Sequence, residues 1–353
     1  MYVAQSDSLP TVGRSTLRDV AALAGVHTAT ASRALNPQRR ALVDETTAER
    51  VRRAAAELGY SPNSIARSLK TSRSGSIGVV IPDLTNPLFP PIVRGIEDVL
   101  TAAGYSAMIV NTDNNPEREA AQVASLRGRQ VEGMIFATAR LHHPVLEQLA
   151  AEGVAMVLVN RKIEDVGIPN VTSDDAAGVA LAMRHLTGQG HQRIAHLAGP
   201  QWTSTGVIRL RAYRHALADA GLPVDESLVE VCDVWTEDEG AKGLRRLLTA
   251  GQHFTAVLAG NDLLAVGGYD ALYEQGLSCP ADLSVVGFND IAFMDKLRPA
   301  LTTVRIPQYQ IGVEAARVLL ERIDDPSAPA KSVLLPPIFI ERQSTRPPRR
   351  SRG

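Results

Sequence analysis

Two hydrophobic periodicities divide the chain near residue 75. Between Thr16 and Gly59 apolar residues recur every three or four positions, which is the spacing of one face of a helix. Three such stripes predict three short helices. They consist of Leu17, Val20, Ala21 and Ala24, then Ala31, Ala34 and Leu35, then Val51, Ala54, Ala55 and Leu58.

After Ser76 the chain alternates apolar runs of strand length with amphipathic stretches of about 12 to 16 residues. Runs that are apolar on both faces and separated by helices predict buried parallel strands in open α/β sheets. The runs are too many for one ordinary sheet, so we expect two similar lobes with a ligand crevice at the carboxyl ends of their strands. They are Ile77–Ile81, Ala107–Val110, Met134–Ala137, Val154–Val159, Ile194–Ala198, Val229–Cys232, Ala256–Ala259 and Ser284–Phe288.

The charge of the chain is unevenly distributed. Its 353 residues, 44% of them hydrophobic, suffice for two or three globular units. Residues 14–73 hold 11 basic and 5 acidic residues, a net charge of +6, so a chain total of −1 leaves −7 for the rest. A basic head on an acidic body indicates a polyanionic partner for the head alone. The alternative is that Arg50, Arg52 and Arg53 only solvate a helix face.

The first two predicted helices carry the signals of a helix-turn-helix. Thr16 is suited to cap the first helix, with Asp19 at its positive end, and Gly25 supplies the positive φ of a tight turn. The second helix, at about 28–35, would then enter the major groove of DNA. The alternative is a helical hairpin that serves only for packing.

Small and basic side chains on that second helix predict its contacts with DNA. Arg33 and Thr28 are expected to read bases, Ala29 to make a close apolar contact, and Ser32 and Asn36 to bind phosphates. Thr16 and Thr30 complete the DNA contacts predicted for the head.

Longer motifs resemble the LacI/GalR family of transcriptional regulators. Residues 16–36, the segment 54–63 (AAAELGYSPN) and the body motifs GQGHQRIAHLAGP (188–200), GND (260–262), LSVVGFND (283–290) and LTTV (301–304) carry the resemblance, which covers about residues 14–346. It implies an α/β protein: an N-terminal all-α helix-turn-helix head joined by a hinge helix to a two-lobed, periplasmic-binding-protein-like body of parallel sheets. The expected segments are a disordered 1–13, a head at 14–61, a hinge and linker at 62–74, a body at 75–346 and a tail at 347–353.

The resemblance also implies a hinge helix that orders on operator DNA. Asn63, Ala66, Leu69 and Lys70 match its DNA-contacting positions, and Leu69 is expected to wedge into the minor groove and kink the duplex. One departure precedes the second helix, where His27 stands in place of the serine common in the family. Histidine is a poorer helix cap than serine, which puts that phosphate contact in doubt.

The body resembles periplasmic sugar-binding proteins, with three crossovers between its lobes. The first lobe is expected at about 75–173 and 307–330, and the second at about 174–306 and 331–346. A small, sugar-like effector would bind between them, with an indole packed against the sugar ring and amides and charged groups on its hydroxyls. The expected effector contacts are Asn86, Phe89, Arg161, Arg209, Trp235, Asn261, Asn289 and Asp290.

Several of these side chains have alternative roles. Trp235 and Phe89 are also suited to a hydrophobic core, and Asp290 to capping a following helix. Arg161 either reaches the cleft or pairs with a surface acid.

The sequence leaves three rival functions. An enzyme is disfavoured because no nucleotide-binding or nucleophile motif stands at a strand-to-helix junction. A transport binding protein is disfavoured by the basic head and by the lack of a secretory pattern in residues 1–14. A regulator without an effector remains open.

Partners and surroundings follow from the same signals. We expect a homodimer on palindromic double-stranded operator DNA, because one helix-turn-helix reads half a site. With only Cys232 and Cys279, and no apolar run of about 18 residues, we expect a cytoplasmic location without a membrane partner, a metal or a cofactor.

Overall fold

The structure is a computed structural model that describes residues 15–36, 40–60, 74–163 and 167–349. The chain divides into two units, Met1–Ser74 and Gly75–Gly353. The predicted hinge residues Asn63, Ala66, Leu69 and Lys70 lie outside the described residues.

Three helices form the first unit: α1 (Leu17–Leu23), α2 (Thr28–Ala34) and α3 (Glu45–Glu57), with a 3-10 turn at Arg40–Leu42. The predicted start of α1 is confirmed as a reciprocal capping box: the Thr16 hydroxyl accepts from the Asp19 N–H, and the Asp19 carboxylate accepts from the Thr16 N–H at 2.8 Å. The turn after α1 has Gly25 at φ 63°, as predicted.

Small side chains fill the core of this unit. The buried residues include only alanines and two valines, which lets short helices approach closely. This core is small, so capping and turn geometry contribute a large share of its stability. Its buried members are Val20, Ala21, Ala24, Ala31, Ala34, Ala48, Val51, Ala54 and Ala55.

Two six-stranded sheets form the body, as the two-lobe prediction required. The first lobe has the strand order β11-β5-β4-β3-β1-β2 and the second β12-β10-β9-β8-β6-β7. The strands are β1 (Ser76–Ile81), β2 (Ser106–Asn111), β3 (Gly133–Phe136), β4 (Met156–Val159), β5 (Asn170–Ser173), β6 (Ile194–Ala198), β7 (Val229–Val231), β8 (Ala256–Ala259), β9 (Ser284–Asn289), β10 (Thr302–Arg305), β11 (Ser332–Leu335) and β12 (Ile338–Ile340).

Four strands were not among the predicted apolar runs. β5 (NVTS) and β10 (TTVR) contain polar residues, and β11 and β12 are partly exposed, so none of the four forms a continuous apolar run that is buried on both faces. β11 also corrects the lobe boundary: it pairs with β5, so residues 332–335 belong to the first lobe rather than the second. β12 runs antiparallel to β10, whereas the other described strand pairs are parallel.

Helices cover both faces of each sheet. In the first lobe α4 (Phe89–Ala102) and α11 (Gln308–Asp324) pack together, and α5 (Pro116–Gly128) and α6 (Pro144–Ala151) contribute to a second apolar cluster. The second lobe pairs α7 (Asp175–Gly188) with α8 (Ser204–Asp219), and α9 (Glu237–Thr249) with α10 (Asp262–Glu274). The chain therefore crosses between the lobes after β5, β10 and β11, confirming three crossovers. A search of the described helices finds none with the length and apolarity needed to span a membrane.

Candidate functional site

The second helix of the head presents a small, polar face to solvent. Ala29, Ser32 and Arg33 are exposed, while Thr28 and Thr30 are half-buried. Ala31 and Ala34 are buried beneath them, as predicted, and Leu35 is half-buried at the helix end. An exposed helix face of this composition can lie against base edges in a major groove. Thr16 is exposed at the start of α1, and Asn36 is half-buried just beyond α2.

His27 takes over the capping role that serine commonly fills. Its Nδ1 accepts a hydrogen bond from the Ala29 N–H at 3.2 Å at the N-terminus of α2. A histidine therefore satisfies one of the orphan donors there.

The positive charge of the head is partly neutralised. Glu45 at the start of α3 pairs with Arg40 at 2.5 Å and with Arg52 at 2.6 Å. Arg50 and Arg53 are exposed on the same helix. Arg33, Arg50 and Arg53 are therefore the better candidates for contact with a polyanion.

A cleft in the body lies where the strands of both sheets end. It encloses about 280 Å³ including its mouth. Because the carboxyl ends of parallel strands meet at one edge of each sheet, the ends of β1, β4, β6, β7, β8 and β9 and the loops and helices that follow them supply its lining. The lining residues are Asn86, Leu88, Phe89, Asn160, Arg161, Thr205, Arg209, Trp235, Asn261 and Asn289.

Seven of the eight side chains predicted to contact an effector lie together in this lining, and Asp290 does not. The Asp290 carboxylate is held by Arg305 at 2.7 Å and Arg342 at 2.8 Å. Both oxygens are engaged by guanidinium groups, which leaves Asp290 a role in fixing the loop after β9. A turn follows it rather than the helix that the capping alternative required.

Arg209 is held rigidly on α8. Its Nε and Nη2 donate to Oδ1 of buried Asp175 at 3.1 and 2.8 Å, and its Nη1 donates to the carbonyl of Gly260 at 2.6 Å. Burial raises the pKa of Asp175, and the Arg209 charge opposes that shift. The guanidinium also lies 3.8 Å from the ring centroid of Phe288. Arg209 thus joins α8 to the start of α7 and the end of β8.

Trp235 combines its two predicted roles. Its ring packs so closely on the backbone after β6 that a Cβ on Gly199 would lie 1.8 Å from Cη2 of the indole. The ring also lines the cleft, and its exposure is intermediate. Part of the indole therefore belongs to the core, while the rest is available to a ligand. Phe89 is likewise a core residue, 2% exposed, at the edge of the cleft.

Asparagines supply most of the neutral polar groups. Asn261 Oδ1 caps α10 by accepting from the Leu264 N–H at 2.8 Å, and Asn86 Oδ1 accepts from the Leu88 N–H at 3.0 Å. Asn160 and Asn289 have φ values of 64° and 112°, a strained backbone that is common at ligand sites.

Sequence reasoning missed three lining residues, Leu88, Asn160 and Thr205. The signal was present for Asn160, which directly follows β4 and precedes the predicted Arg161. Trp202, which lies just after β6 and contacts residues of the first lobe, was also not identified from the sequence.

Contacts across the cleft join the two lobes. The Leu141 N–H donates to the Trp202 carbonyl at 3.1 Å, and the Lys162 N–H donates to the Ser204 hydroxyl at 3.0 Å. The Cζ atoms of Arg140 and Arg161 lie 4.7 and 5.5 Å from the centroid of the Trp202 ring. The structure is therefore a conformation in which the lobes touch.

No group of His, Cys, Asp and Glu side chains suited to a metal ion occurs among the residues that the structure describes. The arrangement offers amide, guanidinium and aromatic groups, which bind and orient a polar molecule.

Comparison with known proteins finds a match for each unit. The family description "Bacterial regulatory proteins, lacI family" matches residues 16–63, and "Periplasmic binding protein-like domain" matches residues 183–345. The ribose operon repressor of Escherichia coli K12 is 34% identical over 331 residues, covering 94% of this chain and 99% of the relative. The transcriptional repressor CytR of the same organism is also 34% identical, covering 94% and 96%. These relatives are transcription regulators rather than enzymes.

Solved structures agree with these matches. A lac repressor dimer bound to operator and the anti-inducer ONPF has a TM-score of 0.82 and 28% identity, and the match covers 94% of this chain and 99% of that one. A LacI family regulator from Enterococcus faecium with bound ribose has a TM-score of 0.68 and 32% identity, over 77% and 99% of the two chains. The predicted fold, a helix-turn-helix head with a two-lobed α/β body, is confirmed.

Proposed function

The chain belongs to the LacI family of bacterial regulatory proteins, and we propose that this DNA-binding regulator is a homodimeric repressor controlled by a sugar-like effector. It acts in the cytoplasm, where its operator lies, and it binds rather than transforms its ligands. The observation that carries the proposal is the convergence of Trp235, Arg209 and several asparagines at the carboxyl edges of two parallel sheets, in a chain that also carries a helix-turn-helix.

The proposed division of labour follows the chain. Residues 14–61 read DNA, 62–74 form the hinge and linker, and 75–346 bind the effector and dimerise, between short tails. Within the head, Arg33 and Thr28 read bases, Ala29 and Thr30 lie against the groove, and Ser32 supports a phosphate contact. Thr16 and Asn36 make further contacts with the DNA, together with Asn63, Ala66, Leu69 and Lys70 of the hinge.

The lining of the cleft, rather than its size, indicates the class of effector, because the touching lobes leave little room between them. An indole face and the amides of Asn86, Asn261 and Asn289 suit a hydroxyl-rich ring. The relatives named for ribose, and the ribose-bound neighbour, support a monosaccharide-sized ligand.

Regulation follows from the contacts between lobes. An effector that favours the touching lobes changes the separation of the two heads in a dimer and so shifts the DNA-binding population. Coupling of about 1 to 3 kcal/mol is typical for such switches.

Arg33→Ala tests the DNA assignment. The substitution removes a side chain expected to pair with a base, so it should cost about 1 to 3 kcal/mol on the preferred palindrome and relax the preference at that base. The measurement is binding of a randomised palindromic duplex library by the full chain, followed by titration of selected sites. Arg53→Ala is the matched control, because an exposed arginine on α3 should weaken all sequences alike. Unchanged sequence preference in Arg33→Ala would contradict the assignment.

A further inference from the structure

Arg161 is a buried cation with two donor nitrogens that lack partners. It follows β4 and is 4% exposed, and its Nε and Nη1 atoms have no hydrogen-bond partner. Burial, helped by the nearby charge of Arg140, lowers its pKa to about 10, so the group stays charged at neutral pH. A buried ion without a partner is expensive, and buried polar groups are nearly always satisfied in folded proteins. Something outside the described chain is therefore expected to complete this group.

Acidic side chains near the cleft form no ion pair with Arg161, although the charge of Glu119 raises its pKa and partly offsets the effect of burial. Asp175 is bound to Arg209, and Glu119 lies 3.3 Å from His143 Nε2 and 2.5 Å from the Thr138 hydroxyl. None of the lining residues is acidic. In the described part of the chain, no ion pair within 4 Å joins Arg161 to a carboxylate. The cleft thus has an excess of positive charge on the side of the first lobe.

A second guanidinium strengthens this excess. Arg140 and Arg161 approach the same indole, that of Trp202, with Cζ-to-centroid distances of 4.7 and 5.5 Å. The charge of Arg140 lowers the pKa of Arg161, so the two cations repel each other, and an anion placed between the lobes would relieve the repulsion. Guanidinium groups are well suited to carboxylate and phosphate oxygens because they offer several N–H donors in one plane.

We propose that the effector is an anionic polyol, a sugar carrying a carboxylate or a phosphate, whose charged group binds Arg161. Its hydroxyl-rich part then faces Trp235 and the asparagines of the second lobe. The inference rests on the proposed sugar-like effector and names its chemical class. Because Arg161 comes from the first lobe and Trp235 from the second, one molecule with both parts would hold the lobes together.

The first test uses inorganic phosphate as the probe of the charged subsite. At constant ionic strength, phosphate should raise the melting temperature of the full chain by about 2 °C or more over chloride, and Arg161→Gln should abolish the rise. The basic head is identical in both proteins, so the difference between them reports the cleft. Arg129→Gln removes an exposed arginine of the same lobe and should keep the rise. Equal behaviour of wild type and Arg161→Gln would overturn the anion site.

The second test compares each neutral sugar with its charged counterparts by calorimetry. Ribose is compared with ribonate and ribose 5-phosphate, and glucose with gluconate, glucuronate and glucose 6-phosphate. We expect about tenfold or tighter binding of one charged form over its parent, lost in Arg161→Gln. The charged sugar that binds most tightly shows whether the anionic group of the effector is a carboxylate or a phosphate. Tighter binding of a neutral parent sugar would overturn the anionic class and would still agree with a sugar-sensing regulator. Stabilisation by phosphate through Arg161, with no sugar bound, would support the anion site and contradict the sugar-like effector.

Discussion

At the scale of single residues, two buried ionisable side chains of the second lobe respond to pH in opposite directions. His196 Nδ1 donates to the Leu258 carbonyl at 2.8 Å, and its Nε2 is buried without a partner. Burial lowers the pKa of His196 to about 4. Burial raises the pKa of Asp262 to about 7, against hydrogen bonds from the Thr303 hydroxyl and the Ile291 N–H. Neither side chain is among those that line the cleft, so we expect both to act on stability.

His196→Gln should alter how the free energy of unfolding depends on pH. The folded pKa lies below the unfolded value of about 6.5, so the contribution of His196 is present above pH 6.5 and is lost as pH falls toward 4. Relative to wild type, the variant should therefore gain stability as pH falls from 6.5 toward 4. Urea unfolding from pH 4.5 to 7.5 measures it.

Asp262→Asn should change the pH dependence of stability in the opposite direction. The contribution of Asp262 to the free energy of unfolding is largest below pH 3.8 and is lost as pH rises through 7, so the variant should gain stability relative to wild type with rising pH. Stability curves parallel to wild type in both variants would contradict the assignment.

At the scale of elements, glycine pairs let the backbones of two packed helices come into direct contact. A Cβ on Gly95 of α4 would lie 2.2 Å from the Tyr309 carbonyl, and one on Gly312 of α11 would lie 2.0 Å from the Ile92 carbonyl. In the second lobe, Gly240 of α9 and Gly267 of α10 make the same close approach. Both lobes thus use glycine where one helix crosses another, although glycine weakens a helix interior.

Gly267→Ala should destabilise the body by about 1 to 3 kcal/mol. The added methyl would lie 1.7 Å from the Glu237 carbonyl, and backbone cannot yield as a flexible side chain does. Gly268→Ala is the matched control in the same helix, because its methyl would meet Leu244 at 3.5 Å, an ordinary contact. The control should be neutral or gain up to about 1 kcal/mol from helix propensity. Chemical denaturation measures both, and equal effects at the two positions would refute the packing argument.

At the scale of the whole molecule, separate parts carry binding to DNA and sensing. The head carries the net positive charge, and the body carries the cleft together with the contacts that join its lobes. Trp202 is central to those contacts, because its carbonyl accepts from Leu141 and its ring lies against Arg140 and Arg161. A residue that binds no DNA is thus placed to affect the response to effector.

Trp202→Ala should shift the body toward separated lobes. Loss of the ring removes two cation–π contacts worth about 0.5 to 2 kcal/mol each, so effector affinity should fall by about tenfold. Operator affinity without effector should shift in the direction opposite to the change that effector causes. Small-angle scattering with calorimetry measures the shift, and Tyr273→Ala, which removes an 86% exposed ring, is the control. An unchanged effector affinity would show that Trp202 does not hold the lobes.

The sequence alone determined the order of the parts. Two periodicities separated three helices from two α/β lobes, and the rule that ligands bind at the carboxyl ends of parallel strands located the crevice. The family resemblance then assigned Asn86, Arg161 and Asn289 to it. Thr16 and Gly25 were identified because capping and positive φ are local properties of a few adjacent residues.

Tertiary structure decided what depends on distant partners. Asp290 directly follows Asn289, the last residue of β9, but two arginines from elsewhere in the chain bind its carboxylate. β11 joined the first lobe because pairing is set by neighbouring strands rather than by its own four residues. The unsatisfied state of Arg161 is likewise a property of its surroundings, since only folding shows which charges are brought near a side chain and which are used elsewhere.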